Sequence, residues 1–114
     1  VASILSNPNQ DPHQFEASAS TARALADAAL VIYSGADYDP WVAKLLSVPH
    51  PRARTVIVAA DLVGAKSGDN PHIWYEPKTM PAVAQAIAAA LGRLDPAHRA
   101  EYDRRREVFL ASMT

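Results

Sequence analysis

Two histidines in this chain stand directly after a proline in triplets of one design, Asp11-Pro12-His13 and Asn70-Pro71-His72, and each has an aromatic close behind, Phe15 and Trp74. The chemistry such a pair offers is metal ligation. A ligating imidazole has to be held within a few tenths of an ångström, and a preceding proline fixes φ near about −65° and removes one source of wobble. Neutral imidazole nitrogen binds zinc or manganese without adding charge, and a metal-bound histidine normally donates its other ring N–H to a carboxylate or carbonyl. Asp11 and Glu16 lie near His13 in sequence, and Asp69 and Glu76 near His72, as candidates for that contact. Tyr38, Trp41, Phe15 and Trp74 could wall the site against water, although core packing is the commoner role for any one of them. Trp74 stands apart, because alternation from His72 puts both on one face if the segment is extended.

Other chemistries find no support. The chain has no cysteine, so thiolate metal sites and disulfides are excluded and a transition metal must be held by His, Asp or Glu. With 11 Lys+Arg against 12 Asp+Glu, the net charge of −1 offers no field for nucleic acid or an anionic membrane. No glycine-rich phosphate loop, nucleophile elbow or HExxH stretch occurs. Asp37 and Asp39 lack the third acid and the lysine of a phosphoacceptor pocket. His50, between two prolines, and His98, beside Arg99, read as solvated, as does the run Arg104 to Arg106.

The elements that must carry the two turns follow from apolar patterning. Val1 to Leu5, Leu30 to Tyr33 and Thr55 to Ala59 are short apolar runs without alternation, which predicts strands covered on both faces. Ser18 or Ser20 caps a helix with a stripe of Ala22, Leu25, Ala26 and Ala29. Asp39 and Pro40 open a second helix with Trp41, Leu45 and Leu46 inward, stopping before Pro49. Val63 to Pro71 reads as a loop. Pro77 opens a helix with Val83, Ile87, Ala90 and Leu91 on its apolar face before Gly92, and Asp95-Pro96 caps a last one with Tyr102, Phe109 and Leu110. Strands alternating with helices through long connections predict a three-layer α/β fold, a parallel sheet flanked by helices. In open parallel sheets ligands bind beyond the carboxyl ends of the strands, where His13, Tyr38 and His72 all fall.

The segments SNPNQDPHQFEAS and GDNPHIWYEP resemble the two histidine turns of the periplasmic metal-binding receptors that feed zinc and manganese ABC transporters. DAALVIYSG resembles the strand that follows the first turn in that family. The likeness runs from Val1 to the end, with Ala17 standing where the family usually has proline. It implies that residues 1–114 are the N-terminal lobe of a two-lobed receptor, entered within its first strand, with the connecting helix between lobes starting at about 96–114. It further implies that His13 and His72 are two of four metal ligands, the others, usually a His or Glu and an Asp, coming from a C-terminal lobe. Asp11, Glu16, Tyr38, Trp74 and Glu76 would line or support the site. The bound Zn or Mn would be cargo, handed to a membrane permease, and the setting would be the periplasm, or the cell surface as a lipoprotein in a Gram-positive source.

A histidine alone in such a turn would more often bond to backbone; the pair, with the resemblance, favours ligation. The resemblance implies a non-enzymatic role. The alternatives are a metal-dependent enzyme using both histidines with Asp37 or Glu76, and a metal-binding adhesin. An apolar face left open by an absent lobe would favour a dimer pooling four histidines. Zinc and manganese are not separated, since the loop from 63 to 71 lacks the histidine run of many zinc receptors but the deciding ligands lie elsewhere.

Overall fold

The computed structural model describes residues 3–4, 18–47, 54–66 and 68–113. Its sheet has two parallel strands, β1 (Leu30–Tyr33) and β2 (Thr55–Val58), paired in register from Leu30 with Thr55 to Tyr33 with Val58. Bonding continues past both ends, from Thr55 N–H to the Ala29 carbonyl (2.9 Å) and from Ala60 N–H to that of Ser34 (2.8 Å). Both strands lie where patterning predicts them. Of the run Val1 to Leu5, only Ser3 and Ile4 are described, and both are irregular.

Helix α1 (Ala19–Asp27) precedes β1, and Ser18 caps it by accepting the Thr21 N–H (3.2 Å). Helix α2 (Pro40–Leu46) follows, its proline filling a first-turn position where no N–H is missed. Leu25 of α1, Val31 of β1 and Val42 of α2 are buried together, with Tyr33, Trp41, Leu45 and Leu46 packed around them. Each such burial contributes about 1.5–3 kcal/mol. The buried line on α1 is Thr21 and Leu25, one turn apart, while Ala26 and Ala29 of the predicted stripe are exposed. Arg54 ties the two helices at the foot of β2, donating to the carbonyls of Leu25 (3.1 Å) and Leu46 (3.0 Å) in their last turns.

Directly after β2 the chain turns into a short helix, α3 (Ala59–Val63), where the strand was predicted to run on through Ala59. The five apolar-rich residues cannot be told from a strand by periodicity. Gly64 supplies the helical stop, in the left-handed region at φ 75° with its N–H bonded to the Ala60 carbonyl. Ala36, Ala59, Ala60 and Ile73 form a second core cluster at the carboxyl ends of the strands.

Helix α4 (Thr79–Leu94) lies against β2 and α3, and α5 (Arg99–Ser112) packs along α4 after a 3-10 turn at Pro96–His98. Helix α4 starts at Thr79, two residues later than predicted, after a turn in which the Thr79 N–H donates to the Glu76 carbonyl (3.0 Å). Nor does Gly92 end it. Gly92 is buried because the Arg99 side chain crosses it, and an added Cβ would meet Arg99 Nε at 3.1 Å. Among the described residues, no helix is long and apolar enough to cross a membrane.

Candidate metal centre

Two loops meet beyond the carboxyl ends of the strands. The first, Ser34 to Asp39, passes through three consecutive left-handed residues, Gly35 (φ 80°), Ala36 (φ 50°) and Asp37 (φ 65°). Gly35 is required on two counts: its φ, and the Val58 Cγ1 that a Cβ would approach to 2.6 Å. Such a reversal turns amides inward, and Asp39, 8 % exposed, closes it by accepting the N–H groups of Ser34 and Gly35, both at 2.9 Å. Asp39 holds the N-cap position of α2, as predicted, yet its carboxylate serves the loop before the helix and makes no bond to the helix itself.

The second loop, described at residues 64–66 and 68–72, is held to the first by the Gly68 N–H, which donates to Asp37 Oδ2 at 3.0 Å. Asp69 accepts the Lys66 N–H (2.8 Å), so this carboxylate clamps its own loop. Asn70 Oδ1 accepts the His72 N–H (3.0 Å) across Pro71 and lies 3.0 Å from His72 Nδ1. The segment after His72 is a 3-10 turn, Ile73–Tyr75, rather than the extended stretch from which Trp74 was aligned with His72. The turn forms because Thr79, nearly fully buried, donates its hydroxyl to the Ile73 carbonyl at 2.6 Å, while the Tyr75 N–H reaches back to His72 (3.3 Å).

The rings meet all the same. Trp74 lies edge-on to His72 (centroids 5.2 Å apart) and to Tyr38 (4.8 Å), and Tyr38 lies edge-on to His72 at 6.0 Å. Tyr75 completes the group, tilted against Trp74 and His72. His72 is exposed within this half-open aromatic wall. Sequence reading passed over Asn70 and Tyr75; the Asn-Pro-His order was the available signal for the first, since Asn readily bonds the backbone two residues on. Glu76 is exposed just past the turn. Tyr33, at the end of β1, has its hydroxyl pKa raised by burial first and then by the negative charges of Asp39 and Asp61.

His13, Asp11 and Glu16 lie outside the described residues, as do Phe15 and His50. Among the described residues, no three His, Asp or Glu side chains are grouped to hold a metal. His98 is exposed and pairs with Asp95 through Nδ1 at 2.8 Å, away from this edge.

The histidine and the aromatic wall stand on loops beyond the strand ends of a parallel α/β layer, the edge at which open-sheet proteins bind ligands. More narrowly, the chain belongs to the family described as zinc-uptake complex component A, periplasmic (ZnuA), which matches residues 1–114. The family is periplasmic, as the resemblance implied. Among solved structures, the fold is similar to that of a cadmium-bound periplasmic metal-binding protein from Candidatus Liberibacter asiaticus, with a TM-score of 0.72 and 19% sequence identity. The match covers 89% of this chain but only 39% of that protein, and at such identity it speaks for the fold alone. No curated protein matches the chain.

Proposed function

We propose that this chain is the N-terminal lobe of a substrate-binding receptor for a divalent transition metal, with His13 and His72 as two ligands and the remainder supplied by a C-terminal lobe. On this reading the metal is cargo, passed to the permease of an ABC importer, and the lobe performs no catalysis. The single observation that carries the proposal is an exposed His72 braced by Asn70, Trp74 and Tyr38 at the strand ends of a chain of the zinc-uptake family. Family membership favours zinc over manganese. Helix α5 would begin the connection between lobes, and Asp11, Glu16 and Glu76 would support the ligands. Nothing among the described residues favours the dimer.

Two imidazoles without their partners hold a metal weakly, and affinity depends on both. Isothermal titration of this chain with Zn²⁺ and with Mn²⁺ is expected to give weak, fast-exchanging binding that is lost in His72→Ala and in His13→Ala. Affinity unchanged in both variants would remove the site.

A further inference from the structure

We propose that Asn70 is the positioning residue for His72, and that it works by deciding which ring nitrogen carries the proton. A single side-chain atom of Asn70 makes two contacts with His72. The backbone N–H of His72 can only donate, so the Asn70 side-chain atom 3.0 Å from it must be the carbonyl oxygen and not the amide nitrogen. That same oxygen lies 3.0 Å from His72 Nδ1. Two lone pairs facing each other at this distance repel, whereas an N–H facing a lone pair is an ordinary hydrogen bond. Nδ1 therefore bears the proton, and in the neutral ring the lone pair sits on Nε2.

Pro71 makes the arrangement durable, since its fixed φ holds Asn70 and His72 in the turn that lets one side chain reach both donors. Edge contacts from Trp74 and Tyr38 fix the ring plane. The fixed tautomer stands on hydrogen-bond geometry alone; its use, presenting Nε2 to a metal, rests on the function proposed above. Partners of this kind are worth about 10–100-fold in metal affinity.

The test separates the two parts. In the metal-free chain labelled with ¹⁵N-histidine, held where the imidazole is neutral, long-range ¹H–¹⁵N correlation spectra are expected to show His72 as the Nδ1–H tautomer. Asn70→Ala is expected to move it towards the mixture seen for histidine in water, and Asn70→Asp, which keeps the acceptor, to restore it. Zinc affinity is expected to fall about 10-fold or more in Asn70→Ala and to recover in Asn70→Asp. An Nε2–H tautomer in the unaltered chain overturns the proposal. So does an affinity loss in Asn70→Ala with no change of tautomer, which would mark Asn70 as merely structural. If the tautomer behaves as expected and no variant binds zinc, the receptor reading fails while the role of Asn70 in fixing the ring stands.

Discussion

In the loops beyond the strands, backbone amides are gripped one by one: Ser34 and Gly35 by Asp39, Gly68 by Asp37, Lys66 by Asp69 and His72 by Asn70. Between α4 and α5 the contact is mostly hydrocarbon instead, around a cleft of about 340 Å³ lined by Val83, Ile87, Leu91, Tyr102 and Phe109 together with Arg105 and Arg106, and a hydrogen bond crosses it, from Arg99 to the Gly92 carbonyl (3.3 Å). Short polar bonds with strict geometry fix a ring to within tenths of an ångström, and they suit loops that must present a ligand. Apolar contact is not directional, so it suits a helix pair that needs length and adherence more than exact pose. Long side chains such as Arg99 and Arg106 can adjust there at little cost.

The sharpest way to break that contrast is to add the same methyl group in each region. At Gly35 a Cβ meets Val58 Cγ1 at 2.6 Å and Ala60 Cβ at 3.1 Å, on a backbone with φ 80°. Left-handed strain and overpacking add up to a loss of about 2–4 kcal/mol for Gly35→Ala. At Gly92 the obstacle is the flexible Arg99 side chain, and the helix gains from alanine, so Gly92→Ala is expected to fall within about 1 kcal/mol of the unaltered chain. Urea midpoints measure both; equal effects would erase the distinction between the regions.

Next in size is the central clamp. Asp39→Ala leaves two partly buried amides without their acceptor, at a cost of about 2 kcal/mol. Amide exchange at Ser34 and Gly35 should quicken far more than exchange at Val31 or Ile57. Uniform quickening across the sheet would mean that Asp39 stabilises the whole fold and not the loop. Asp39→Asn keeps one acceptor oxygen and is expected to lose less.

How far these features were legible in the sequence follows the same division. Leu30 to Tyr33 and Thr55 to Val58 are legible as strands because each is a short run rich in β-branched side chains, and the Asp39-Pro40 pair marks the start of α2. Helix α3 was hidden because Ala59 to Val63 reads equally as strand, and only Gly64, as a left-handed stop, could have revealed it. The residue type at Asp39 was readable as a cap, but its partners were not, since they depend on three left-handed residues in succession, two of which are not glycine. His72 and Trp74 do lie near each other, but not through alternation along a strand: a 3-10 turn held by Thr79 brings the rings together instead. Side-chain clamps depend on backbone angles that a sequence pattern does not encode.

The smallest expected effect lies on the outer face of α5, and it tests whether polar contacts matter less there than at the strand ends. Glu101 has its carboxyl pKa lowered to about 2 by hydrogen bonds from Arg104 first and then Arg105, at 2.6 and 2.7 Å. Asp95 is lowered likewise, by Tyr102 first and then His98. A folded-state value below the unfolded one means that the stabilisation is complete above the ordinary carboxylate range, near 4.5 for Glu101, and drains away as pH falls towards 2. Glu101 is solvent-facing, so salt screens most of its contribution. Far-UV circular dichroism of the chain is expected to lose a little helix over that window at low ionic strength. Less should be lost in Glu101→Gln, which has no charge to surrender, and less at high salt. Identical acid profiles for Glu101→Gln and the unaltered chain would mean that α5 is held by its apolar face against α4 alone, which would widen the difference between the two regions.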